Sequence, residues 1–145
     1  MSMIDISGKK NVEREAMAAG KIRLRRKTID EIKKGKIKKG DPIKVAEVAG
    51  MLAVKNTSSS IPHCHPLPIE SINFDFFVDE DAIEVKCRVK ANYKTGVEME
   101  ALHGVAIALL TIWDMVKYLE KDEEGQYPYT AIEEIKVLEK VKNEP

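Results

Sequence analysis

The chain has 145 residues and a mass of 16.3 kDa, which is the size of one ordinary domain and too little for two sizeable cores. Its hydrophobic fraction of 43% can build a core, which excludes disorder along the whole chain, and its charged fraction of 33% exceeds the roughly 25% usual for soluble proteins. The net charge is zero, yet residues 1–60 hold 15 Lys/Arg against 7 Asp/Glu and residues 61–145 hold 9 against 17, so a basic front half suited to an anion such as phosphate precedes an acidic back half.

Ile4 to Ser7 reads as a short strand, and the first ten or so residues are expected to be flexible. Val12 to Leu24 is mixed, with small residues Ala16, Ala18 and Ala19 before Gly20; Lys21 to Lys27 alternates basic and apolar side chains, as a strand or an exposed arm would. Thr28-Ile29-Asp30-Glu31 places a capping hydroxyl three residues before a carboxylate and predicts a short helix that stops at Gly35. Asp41 then suits an N-cap and Pro42 a first helical position, predicting a second helix through Ala53. Thr57 to Pro62 breaks it, and His63-Cys64-His65 follows in a loop stiffened by Pro62, Pro66 and Pro68. Ile69–Val78 and Ala82–Tyr93 alternate apolar and polar residues about the turn Asp79-Glu80-Asp81, predicting an antiparallel hairpin. The longest helix is predicted over Val97 to Leu119, apolar around much of its circumference, and Ala131 to Val141 alternates as a last strand. Antiparallel strands with helices packed on one face make an α+β domain spanning residues 1–145. No apolar run approaches the roughly 20 residues of a membrane span, Met1 to Lys10 lacks a signal core, and a cytoplasmic location is expected. Cys64 and Cys87 read as free thiols.

Two segments are odd for a bland core: Lys55 to His65, and the long helix with Glu98 and Glu100 at its start and Asp114 and Lys117 near its end. Asp114 and Lys117 share a helical face, either as a surface ion pair or as a proton donor and acceptor with tuned pKa values. His63, Cys64 and His65 are all zinc-binding types, but the sequence offers no third and fourth ligand at diagnostic spacing, and no metal is expected. The lysines from Lys33 to Lys44 read as a solvated basic surface; no aromatic lies between Met1 and Ile72 to stack a base, which argues against nucleic acid. Glu100 and Asp114 stand 14 residues apart, roughly 21 Å along the axis and within about 40° of one face. One small ligand cannot touch both on one chain, whereas two antiparallel copies of the helix could bring them together at a two-fold interface.

These motifs resemble a known family. Lys55-Asn-Thr-Ser-Ser-Ser-Ile-Pro-His-Cys-His-Pro-Leu-Pro-Ile69 looks like the signature loop of the molybdenum cofactor biosynthesis protein C family, the cyclic pyranopterin monophosphate synthases. Thr95-Gly-Val-Glu-Met-Glu-Ala-Leu102, running to Leu110-Thr-Ile-Trp-Asp-Met-Val-Lys117, looks like its second signature; Arg14-Glu15-Ala16 and Lys39-Gly40-Asp41 fit the same pattern. The resemblance spans roughly Ile4 to Val141 and fits an archaeal-type member. It implies a ferredoxin-like fold, a homo-hexamer built as a trimer of dimers with the site at the dimer interface, and a cofactor-free step of molybdopterin biosynthesis with no nucleic-acid or membrane partner. The substrate it implies is a 3′,8-cyclised dihydro-GTP, converted to cyclic pyranopterin monophosphate with release of diphosphate.

On the same resemblance, Asp114, Lys117 and Lys39 match catalytic residues. His63, Cys64, His65, Met99, Glu100 and Lys55 match the substrate-binding set. The three lysines suit the charge that builds as diphosphate leaves. A non-catalytic nucleotide-binding subunit of the same fold is the alternative, and retention of Lys39, Asp114 and Lys117 together disfavours it. Three positions depart from the pattern. The loop usually reads Leu-Cys-His where this chain has His63, and His103 stands where a hydroxyl or small residue is common. The Gly-Gly-Lys-Ser-Gly loop near the C-terminus of many bacterial members is absent, leaving Arg23 to Lys27 as the candidate to hold phosphate in its place.

Overall fold

A computed structural model describes residues 1–144. Strands β1 (Val12–Arg23), β2 (Ile69–Val78), β3 (Ala82–Tyr93) and β4 (Ala131–Asn143) form one antiparallel sheet in the order β2-β3-β1-β4. Helices α1 (Arg26–Lys33), α2 (Pro42–Lys55), the single turn α3 (Thr57–Ser60) and α4 (Glu98–Glu120) complete an α+β, ferredoxin-like domain.

Sequence and structure agree on α2, the β2–β3 hairpin, α4 and β4, each within about two residues of the predicted limits. Asp41 caps α2 as expected, its Oδ1 accepting from Ile43 N at 3.0 Å and Lys44 N at 3.3 Å. Ile4–Ser7 is not a strand; it ends in a turn in which Ser7 N donates to Asp5 Oδ1. The mixed stretch from Val12 is one continuous strand. Its small residues let it run beneath α4: a Cβ on Gly20 would stand 3.0 Å from both Leu109 Cδ1 and Val105 Cγ1. The Thr28 capping box does not form. α1 starts two residues earlier, and the Thr28 hydroxyl donates to Glu120 instead.

Glu120, the last residue of α4, is fully buried. Its carboxylate accepts from the Arg25 backbone N at 3.1 Å, from Thr28 and, at 2.6 Å, from the Thr130 hydroxyl. A side chain distant in sequence thus caps α1 and ties it to the end of α4 and the start of β4.

The core lies between the sheet and α2 and α4. Ala16, Ala18, Ile22, Val85, Cys87 and Val89 face Val105, Leu109 and Ile112 there. Burial pushes the Cys87 thiol up to about 12, so it is an inert filler. The helices approach closely at glycines: a Cβ on Gly50 would stand 3.1 Å from the carbonyl oxygen of Gly104. The opposite sheet face carries ion pairs, Arg88 with Glu15 at 3.1 Å and Lys90 with Glu13 at 3.6 Å.

In length and composition α4 does pass for a membrane span, contrary to the sequence reading, since its most apolar window reaches a mean hydropathy of 1.4. Half of that window is buried inside the fold, as the core helix of a packed domain requires.

Candidate active site

Both ends of α4 carry candidate site residues. At its C-terminal end Asp114 and Lys117 lie on one face, with Lys117 Nζ 3.2 Å from Asp114 Oδ1. The loop between α1 and α2 brings Lys39 to the same carboxylate, its Nζ 3.3 Å from Oδ2 and 3.0 Å from the Asp114 carbonyl oxygen. That loop is pinned one residue earlier. Lys38 N donates to the Tyr118 hydroxyl at 2.9 Å, and the Lys38 ammonium sits 5.1 Å from the Tyr118 ring centroid. Gly35 (φ 68°) and Gly40 (φ 117°) provide the left-handed turns on either side. Hydrogen bonds from Lys117 and then Lys39, reinforced by their charges, hold the Asp114 carboxyl below its ordinary value. All three side chains are about half exposed in the single chain. Beside them Leu110, Trp113, Tyr127 and Ile132 line an open apolar groove of about 340 Å³, with Trp113 and Tyr127 edge to face at 5.2 Å.

At the N-terminal end of α4 the proline-bounded loop folds over the first turn. His63, Cys64, His65, Met99 and Glu100 line one cleft of about 150 Å³. Lys55, His65 and Glu100 meet in a second of about 50 Å³. Glu100 is only 4% exposed. Burial raises its pKa and Glu98 adds to the effect, partly offset by a backbone hydrogen bond at the helix start. Burial, with the nearby Glu100 charge, likewise raises Cys64. Glu98 goes the other way: burial pulls it up, but the Lys140 ammonium 2.9 Å away and a backbone N–H outweigh that. His63 Nδ1 and His65 Nε2 each lie 2.7 Å from a backbone carbonyl oxygen, of Ser2 and Ile4 respectively, so the N-terminal segment crosses this loop. Among the described residues no group of three or more His, Cys, Asp and Glu is placed to hold a metal. His103 is a structural residue, its Nδ1 within 2.9 Å of the Ala53 carbonyl oxygen and 3.1 Å of the Thr57 hydroxyl.

The structure therefore gathers the expected residues into two clusters and not one. Lys39, Asp114 and Lys117 form the first. His63, Cys64, His65, Met99, Glu100 and Lys55 form the second, roughly 21 Å away along α4. Within Arg23–Lys27 the buried Arg25 Nε has no hydrogen-bond partner among the described residues, while Arg23 and Arg26 are engaged. Arg23 pairs with Glu133 at 3.2 Å and donates to the Tyr129 carbonyl, and Arg26 pairs with Glu80 at 3.1 Å. Sequence reasoning gave no role to Trp113 and Tyr127. An aromatic directly preceding the candidate Asp114 was the available signal for Trp113; Tyr127 arrives through the tertiary fold.

A family profile described as the MoaC family matches residues 3–143. The chain belongs to the MoaC family. A protein of Pyrococcus furiosus is 56% identical over 144 residues, 99% of this chain and 92% of its own length. One of Thermococcus onnurineus is 58% identical over the same span. One of Sulfolobus acidocaldarius is 56% identical over 141 residues, 97% of this chain and 99% of its own. All three bear the name probable cyclic pyranopterin monophosphate synthase. The MoaC assignment accounts for both signatures lying on α4 and its covering loop.

Proposed function

We propose that this MoaC-family chain, one domain over its whole length, is a cyclic pyranopterin monophosphate synthase. It converts a 3′,8-cyclised dihydro-GTP to cyclic pyranopterin monophosphate and diphosphate in molybdenum cofactor biosynthesis. The observation that carries the reading is the convergence of Lys39 and Lys117 on Asp114. Ring opening and reclosure need repeated proton transfers, and cyclic phosphate formation needs a hydroxyl to attack the α-phosphorus. In that step the new O–P bond forms, the P–O bond to diphosphate breaks, the hydroxyl proton leaves to a base and the two ammonium groups meet the charge on the departing diphosphate.

In the free chain Asp114 is a poor base, because two lysines hold it ionised. Covering the cluster would desolvate it and raise it toward a working range. The cover that fits is a second copy. Two antiparallel α4 helices would set Asp114, Lys117 and Lys39 of one chain opposite His65, Glu100 and Met99 of the other. Each two-fold pair then holds two complete sites, and a hexamer is a trimer of such pairs. The reaction is cytoplasmic and uses no cofactor. It is tested by incubating the purified protein with the cyclised nucleotide and following diphosphate and pterin together. Asp114→Asn should lose both products while the oligomer stays intact; turnover by a folded Asp114→Asn protein refutes the assignment.

A further inference from the structure

The segment before β1 meets both histidines of the proline-bounded loop. His63 Nδ1 lies 2.7 Å from the Ser2 carbonyl oxygen, and His65 Nε2 lies 2.7 Å from that of Ile4. Apolar burial does not hold the segment there, since the Met3 and Ile4 side chains are 47% and 77% exposed. What fixes it is polar. Asp5 Oδ1 accepts from Ser7 N at 2.9 Å and closes one turn, and Lys9 N donates to the Ile6 carbonyl oxygen at 3.0 Å in the next. The two imidazoles complete the attachment. Ser2 and Ile4 are two residues apart, as are His63 and His65, so the two contacts run in register.

These contacts decide where the ring protons sit. A carbonyl oxygen only accepts, so the ring nitrogen facing it carries the hydrogen. A neutral imidazole has one donor and one acceptor nitrogen, and the hydrogen bond made by one sets the role of the other. His63 is therefore the Nδ1–H tautomer with a bare Nε2. His65 is the Nε2–H tautomer with a bare Nδ1. Neither bare nitrogen has a hydrogen-bond partner among the described residues. Both rings line the cleft that Met99 and Glu100 share. A free histidine side chain in water favours Nε2–H, so His63 is held in its less favoured form.

We infer that the segment Ser2–Asp5 is a positioning element of the site, its Ser2 and Ile4 carbonyls locking His63 and His65 in opposite tautomers so that each offers one acceptor nitrogen to N–H or O–H donors of a ligand. An unlocked imidazole divides its time between tautomers and ring orientations, and a ligand that needs an acceptor must select one of them. A locked pair has made that selection before binding, which is preorganisation. That the ligand is the cyclised nucleotide, with its amine and hydroxyl donors, rests on the proposed reaction; the tautomer assignment does not.

The test is heteronuclear NMR of the imidazole nitrogens in the full chain at about pH 8, where imidazole is neutral. The chain has three histidines, so three ring patterns are read. His63 should appear as Nδ1–H and His65 as Nε2–H. His103, whose Nδ1 lies 2.9 Å from the Ala53 carbonyl oxygen, should be Nδ1–H and serves as internal control. Met3→Gly/Asp5→Gly removes the acceptor of the first turn and loosens the backbone between the two carbonyls. It should move His63 toward Nε2–H and leave His103 unchanged. Wild-type His63 found as Nε2–H, or tautomers that the double variant does not move, overturns the inference. The same variant should raise KM for the cyclised nucleotide by about two- to tenfold and act less on kcat; a wild-type KM overturns the positioning role. If the tautomers are as assigned and the variant releases them, but the wild-type chain makes no pterin, the locking segment stands and the proposed function falls.

Discussion

The division of the site between the two ends of α4 is open to a decisive test. Take Lys39→Ala and Glu100→Gln as two separately inactive proteins. Along a single chain Glu100 and Asp114 are roughly 21 Å apart, and groups that transfer protons at one ring and its α-phosphate must lie within hydrogen-bond reach of them. A site confined to one chain therefore stays dead in any mixture. A site shared across a two-fold axis does not. Random association of equal amounts gives mixed pairs in about half the dimers, and each mixed pair has one site carrying both lesions and one carrying neither. Co-refolded variants should recover about a quarter of wild-type turnover. The assay is diphosphate release, with mixed assembly verified by native mass spectrometry of differently tagged chains. Proven heterodimers with no activity above the parents would refute the shared site.

Other outcomes follow from the packing and the charges. Glu120→Ala leaves the Arg25 amide and the buried Thr28 and Thr130 hydroxyls without their acceptor and should cost about 3 kcal/mol in urea unfolding; a loss below about 1 kcal/mol would show that the network is unimportant. Gly104→Ala sets a Cβ 2.7 Å from Val54 Cγ2 and 3.1 Å from Phe74 Cζ, so it should destabilise by about 1–3 kcal/mol, and an unchanged midpoint would mean that α2 and α4 separate freely. Glu100 has a raised folded pKa, so the folded state holds its proton more tightly than the unfolded one. Stability should fall as pH rises from the ordinary glutamate value through the raised one. Glu100→Gln should remove that slope, and an unaltered pH profile would show that Glu100 is not the group responsible.

Periodicity and capping chemistry act over a few residues, and wherever they decide an element the sequence is legible. Asp41-Pro42 starts α2, and the alternation of Ile83, Val85, Cys87 and Val89 makes β3. Where a long-range partner decides, local reading fails. Thr28 has the spacing of a capping box, but Glu120, ninety-two residues on, competes for its hydroxyl and wins because it also satisfies the Arg25 amide. Between Val12 and Ile22 β1 has no β-branched residue and reads as mixed; it is a strand because only small side chains fit between the sheet and α4. The candidate residues could be named one by one because each lies in a segment that resembles a family signature. Their separation into two clusters was implied by helix arithmetic alone.

The two clusters also differ in how complete they are. Glu100 is already buried, roofed by the His63–Pro68 loop, and its pKa is already displaced. Asp114 is open to water, neutralised by two lysines, and flanked by an apolar groove containing Trp113 and Tyr127 with only its own chain behind it. Proton transfer and diphosphate departure need the low-dielectric surroundings that the first cluster has and the second lacks. An apolar rim around exposed charges suits burial by another protein surface, and the surface proposed to cover it is the His65–Glu100 end of α4 of a second chain. Association of two chains would then both supply the missing half of the site and remove water from Asp114, so turnover and assembly should be lost together on dilution.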